Sequence, residues 1–167
     1  MGNSAQKQFA ARGRYTVIPR TLVFLREGAD VLLLKGAPTK RLWANRYNGL
    51  GGHVEAGETI VDAALREVWE EAGIAPDRIS NFALRALINV EGAPTGVLLC
   101  IFVGEARDRA VRASVEGALE WAPVARLAEY DLVDGDRLLP QLLPEQPVRY
   151  GHLRYDAAGN ASMFTLV

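Results

Sequence analysis

Between Thr59 and Gly73 the chain carries a pattern that a helix satisfies and a strand does not. Thr59 followed by Asp62 makes a capping pair, Val61, Ala64, Leu65, Val68 and Ala72 recur at helical spacing, and Gly73 stops the run. At about 100° per residue, Glu67, Glu70 and Glu71 fall within an arc of roughly 100°, opposite the apolar stripe. Carboxylates at i, i+3 and i+4 repel one another, so a counter-cation would relieve the helix. Hard oxygen donors favour Mg²⁺, with Mn²⁺ as the alternative. An acidic helix face taken alone is more often just solvated, so the flanking residues must decide.

Composition narrows the choice. The 167 residues suit one domain with its own core, expected over 13–167 behind a flexible tail at 1–12. With 49% hydrophobic and 23% charged residues the chain is not a disordered one. Its 19 basic and 20 acidic side chains lack the excess of positive charge that a nucleic-acid polymer or polybasic membrane contact requires. Any nucleotide partner is therefore expected to be a small molecule. Cys100 is the single cysteine, expected in the core, and no run reaches the roughly 20 apolar residues of a membrane span. With no signal-peptide pattern at the N-terminus, the expected location is cytoplasmic.

Around the helix the pattern alternates irregularly. Apolar and β-branched runs predict strands over Tyr15–Arg26, Val31–Lys35, Phe82–Val90, Val97–Glu105 and up to Trp121. A short helix is expected from Pro123 to Ala128, another near Asp136–Leu143, and a closing hairpin from Tyr150–Tyr155 and Ser162–Val167 through Gly159 and Asn160. The segment Gly36–Gly57 is too long and polar for a simple turn, which marks it as functional. Without regular βαβ alternation, the elements predict a mixed sheet covered by helices.

The decisive context is the string Gly52, five residues, Glu58, seven residues, then Arg66-Glu67-Val68-Trp69-Glu70-Glu71-Ala72-Gly73-Ile74. It is similar to the complete Nudix box, residues 52–74, with no departure. Seven fixed residue types at these spacings coincide by chance on the order of once in a million such chains. The resemblance implies an α/β Nudix fold, an α/β/α sandwich with a central mixed β-sheet. It also implies hydrolysis of a nucleoside diphosphate linked to another moiety, using a divalent metal and water. Carried over residue by residue, Gly52, Glu67, Glu70 and Glu71 match the family's metal ligands, Gly52 through its carbonyl. Arg66 matches the residue that holds a box glutamate in place. Glu70 and Glu71 rank first as the base that takes a proton from water, and the sequence does not choose between them. Glu116, in Glu116-Gly-Ala-Leu-Glu-Trp121, is similar to a distal family acid, or else is a loop charge.

The nucleotide is addressed by a second resemblance. Leu42-Trp43-Ala44-Asn45-Arg46-Tyr47-Asn48-Gly49-Leu50-Gly51-Gly52 resembles the loop of the oxidised purine nucleoside triphosphatases, the 8-oxo-dGTP diphosphatase group. Asn48 then stands where that group contacts the purine, and an amide offers a base edge both a donor and an acceptor. Tyr47 stands where those enzymes commonly have tryptophan. Asp134, in Asp134-Gly135-Asp136, resembles the group's base-facing acid, although a helix-capping role explains it equally. Lys35, ending the second strand, is a candidate for the triphosphate. The expected activity is therefore cleavage of a purine nucleoside triphosphate, oxidised or not, to monophosphate and pyrophosphate. An ADP-ribose or nucleotide-sugar hydrolase is the alternative, and a non-catalytic nucleotide-binding domain the third reading.

Overall fold

In the computed structural model the described residues are 13–40, 42–112, 114, 116–133, 139, 142–143, 147–157 and 161–167. Eight strands form one mixed sheet: β1 (Thr16–Glu27), β2 (Asp30–Gly36), β3 (Tyr47–Asn48), β4 (Ile79–Val90), β5 (Thr95–Ala106), β6 (Gly117–Pro123), β7 (Arg149–Tyr155) and β8 (Ala161–Leu166). Their order is β3-β2-β1-β5-β4-β7-β8, and β6 pairs with β2. β1 runs parallel to β5 over its whole length, Thr16 opposite Thr95 and Arg26 opposite Glu105. β4 runs parallel to β7, and the remaining pairs are antiparallel.

The central strands are apolar on both faces because both faces are covered. Alternate residues of β1, β2 and β5 divide between two cores. Val23, Leu25, Leu32, Leu34, Cys100 and Phe102 pack with Ala64, Val68 and Ala72 of the helix α1 (Ile60–Ala72). Phe24, Val31, Leu33, Ile101 and Val103 pack on the opposite face with Leu127, Leu139 and Leu142. A 3-10 turn, Val124–Glu129, carries Leu127, with Pro123 in the capping position just before it. The sheet thus lies between two layers, which is the expected sandwich. No helix among the described residues is long and apolar enough to cross a membrane.

Several boundaries differ from the sequence pattern for local reasons. β4 starts at Ile79 rather than Phe82, because the 3-10 turn Pro76–Arg78 feeds directly into it and a register shift follows Ser80. Polar Ser80 and Asn81 hide that start, Asn81 adopting φ 50° and donating to the Glu105 carboxylate. Val61 is exposed, not part of the buried stripe, whereas Ala63 and Glu71 are buried. The expected tail at 1–12, Asp134, most of the helix expected at 136–143 and the hairpin turn at Gly159 and Asn160 lie outside the described residues.

Candidate active site

Helix α1 is fixed at both ends. Thr59 Oγ1 accepts from the Asp62 N–H at 3.1 Å while the Asp62 carboxylate accepts from the Thr59 N–H at 3.3 Å, a reciprocal capping box. At the other end Gly73 sits at φ 69°, and its N–H closes on the Trp69 carbonyl. The Arg112 guanidinium donates to the carbonyls of Trp69 and Glu70 at 3.1 and 3.2 Å, satisfying helix-end acceptors and placing positive charge at the negative end of the dipole. No motif in the sequence singles out Arg112.

The loop before α1 is held onto β1. Thr21 N–H donates to the Gly52 carbonyl at 2.8 Å, and Val23 and Leu50 exchange backbone hydrogen bonds. This pairing brings Gly51 and Gly52 directly over the acidic face of the helix. Gly51 has φ 142°, and its N–H donates to Glu71 Oε2 at 2.8 Å. A Cβ on Gly52 would run into the Glu67 carboxylate. Gly52 is therefore required by the close approach of loop to helix, and Gly51 by its positive φ and its close approach to the Thr21 carbonyl of β1.

Arg66 organises the carboxylates beside them. It makes a bidentate pair with Glu58 at 2.8 and 3.1 Å, and donates to Glu67 Oε1 at 2.9 Å and Glu70 Oε2 at 3.2 Å. It also donates to the His53 carbonyl at 3.1 Å. The Arg66 guanidinium and the Glu55 N–H hold Glu58 below the usual carboxylate range. Glu58 precedes the capping residue and serves as the clamp for Arg66. Glu71, only 8% exposed, is different: burial pushes its pKa up to about 7, Gly51 N–H and Lys40 working downward and Glu67 and Glu116 upward.

These carboxylates line one cleft of about 490 Å³, bounded by Gly51, Gly52, Glu67, Glu70, Glu71 and Glu116 together with Lys40 and Arg20. Glu116 reaches it from the segment before β6 and pairs with Lys40 Nζ at 2.8 Å. A second cavity of about 190 Å³ adjoins it, walled by Leu22, Leu99, Val90, Val133 and Leu153 with Trp43 and Asn48. Arg20, Lys40, Gly51 and Glu71 border both. Asn48 lies in β3, paired to Leu34, and its Oδ1 accepts from the Gly49 N–H at 2.9 Å.

The structure thus brings Gly52, Glu67, Glu70, Glu71, Arg66 and Glu116 together, with Asn48 in the neighbouring cavity. Tyr47 and Lys35 are not in that group and border neither cavity. Adjacent residues of a strand point to opposite faces, so Tyr47 turns away from Asn48. Its hydroxyl donates to Glu120 at 2.9 Å, its ring meets Tyr130 edge-on at 5.0 Å, and Lys35 Nζ lies 5.3 Å from the ring centre. Trp121 and Trp69 border neither cavity, and each lies beside an arginine, Arg109 and Arg112. Sequence reasoning passed over Arg20. The signal available was a lone charge within an otherwise apolar stretch, Val17–Leu25.

Residues 17–143 match the family described as NUDIX domain. The chain belongs to the Nudix family. Over 135 residues, 81% of this chain and 85% of that protein, it is 30% identical to the oxidized purine nucleoside triphosphate hydrolase of Mus musculus. A 49-residue stretch is 45% identical to the phosphatase NudJ of Escherichia coli, covering 29% of each. Among solved structures the fold matches the MutT protein of Bacillus halodurans with TM-score 0.71 and 24% identity, over 90% of this chain and 97% of that one. It also matches the NUDIX domain of Shewanella oneidensis NrtR, complexed with ADP ribose, with TM-score 0.62 and 15% identity over 83% and 96%. At those identities the solved structures speak for the fold alone.

This Nudix protein is a hydrolase of phosphoric anhydrides, and Nudix hydrolases in general use divalent cations and act on small nucleotides. The donor set suits such a cation, since five carboxylates (Glu55, Glu67, Glu70, Glu71 and Glu116) border the cleft and every one offers hard oxygens. Among the described residues no three acidic, His or Cys side chains are already gathered as a metal site. The reason is visible in the pairing: Arg66 draws Glu67 and Glu70 toward itself and Lys40 draws Glu116.

Proposed function

We propose that the chain is a divalent-cation-dependent pyrophosphohydrolase of purine nucleoside triphosphates, the oxidised form included, releasing a monophosphate and pyrophosphate. The observation that carries this reading is the continuity of an apolar cavity bearing Asn48 with a carboxylate cleft. A nucleoside triphosphate has the same division, an aromatic base at one end and a polyanion at the other. Asn48 would read the base edge, with Leu22, Leu99 and Trp43 as apolar walls.

Glu67, Glu70 and Glu71 would hold Mg²⁺, or Mn²⁺ in its place, with the Gly52 carbonyl as a further oxygen donor. The cation supplies charge neutralisation and alignment of the phosphate oxygens. Arg66 orients Glu67 and Glu70 through its hydrogen bonds and is itself fixed by Glu58. One carboxylate, Glu70 or Glu71, takes the proton of the attacking water, which bonds to phosphorus as the bond to the departing phosphate oxygen breaks. Glu116 is held at the rim by Lys40, where it can join the ligand set or serve as that base. Asp134 is retained as a candidate for the base edge.

The test is a product screen of the pure protein with Mg²⁺ against normal and oxidised purine dNTPs, ADP-ribose and nucleotide sugars. Pyrophosphate released from a purine triphosphate is the expected result. Cleavage confined to sugar-linked diphosphates overturns the proposal in favour of the second hydrolase reading. Nucleotide binding without turnover of any of them turns it into a binding domain.

A further inference from the structure

Arg20 stands at the junction of the two cavities and belongs to the wall of both. It is half-buried on β1, opposite Leu99 on one side and bridged to His53 on the other. It shares a strand face with Leu22, which lines the apolar cavity. The other cations around the site are engaged: Lys40 with Glu116, Arg46 with Asp131 and the Leu132 carbonyl, Arg66 with three glutamates. Arg20 is the exception. Among the described residues it has no ion pair and no side-chain hydrogen bond, although several carboxylates border the same cleft.

A half-buried guanidinium without an acceptor is poorly solvated, and a ligand that brings an oxyanion to it gains a charge-assisted contact. Its rigid fork suits two oxygens of one phosphate. A nucleotide with its base among Leu22, Leu99 and Asn48 and its terminal phosphates among the glutamates must cross this junction. The group that falls there is the phosphate attached to the nucleoside.

We propose that Arg20 binds that nucleoside-linked phosphate, anchoring the chain where it leaves the base cavity. The inference rests on the nucleotide reading above and adds a residue that no box motif contains. It predicts that a nucleoside monophosphate binds more tightly than its parent nucleoside even without divalent cation, and that this increment belongs to Arg20.

The experiment is calorimetry without divalent cation on the wild type, Arg20→Met and Arg20→Lys, using dGMP, deoxyguanosine and inorganic phosphate. In Arg20→Met the dGMP affinity is expected to fall by about 10- to 100-fold while deoxyguanosine binding is unchanged, with partial recovery in Arg20→Lys. Inorganic phosphate alone is expected to bind far more weakly than dGMP. Unchanged dGMP binding in Arg20→Met, in a protein that hydrolyses purine triphosphates, overturns the Arg20 assignment and leaves the function standing. Equal loss of deoxyguanosine and dGMP overturns it too, because Arg20 would then only shape the base cavity. A wild type that neither binds dGMP nor cleaves any triphosphate removes both readings together. Thermal unfolding of each variant guards against a folding defect, and should Arg20→Met fail to fold, Arg20→Gln carries the same comparison.

Discussion

The Glu67 carboxylate occupies the space into which a Cβ at residue 52 would project. Loop and helix are thus fitted to each other without room for one methyl group. Gly52→Ala must push Glu67 away from Arg66 or lift the loop from β1, where the Gly52 carbonyl accepts from Thr21. The expected cost is about 1–3 kcal/mol of stability, as for other overpacked sites. Chemical denaturation measures that loss, and a Mg²⁺ titration followed by thermal shift is expected to show weakened cation binding. An unchanged protein on both counts would mean that the loop adapts freely.

Glu71→Gln separates charge from packing. Gln keeps an oxygen that can accept from Gly51 N–H, but it cannot ionise. With the Glu71 pKa pushed up to about 7 by burial, its ionisation at pH 8 works against the metal-free fold. The variant is therefore expected to melt at the same or a higher temperature in EDTA, to lose the stabilisation that Mg²⁺ gives the wild type, and to lose at least about 100-fold in kcat. Retained activity would exclude Glu71 from the reaction.

Arg66→Lys tests the clamp. Lysine keeps the charge and loses the fork that bonds Glu58 with two nitrogens while reaching Glu67, Glu70 and the His53 carbonyl. Because the carboxylates survive but lose their orientation, kcat should drop about 10- to 100-fold with a smaller change in KM. Steady-state kinetics measures the split.

A pH effect is expected beside the apolar cavity, next to its wall residues Val90 and Leu153. Arg154 and, to a smaller extent, His152 hold Glu91 below its ordinary value. A carboxylate lowered in the fold stabilises the protein above its unfolded pKa of about 4.3, and that contribution disappears as pH falls through the folded value. Arg154→Ala should bring the Glu91 titration back up toward the ordinary range, read by NMR. The group is exposed, so added salt should shrink the shift.

The sequence by itself determined the helix and the identity of its acidic cluster. Thr59, Asp62 and Gly73 act on backbone groups three or four residues away, and Glu67, Glu70 and Glu71 share a face by helical geometry alone. Most strands were legible for the same reason, their apolar runs being long and their turns short. Interactions across the fold were not legible. That Glu71 is buried under Gly51, while Glu70 one residue earlier stays exposed, depends on β1 holding the 50–52 loop over the helix. Tyr47 and Asn48 were both candidate ligands until pairing with β2 sent their side chains to opposite faces. Arg20 and Glu116, nearly a hundred residues apart, meet at one cleft only because β1 and the approach to β6 converge there. Local periodicity fixes which residues share an element. Only the packing of elements decides which of them share a site, because burial, register and charge pairing depend on contacts that sequence spacing does not encode.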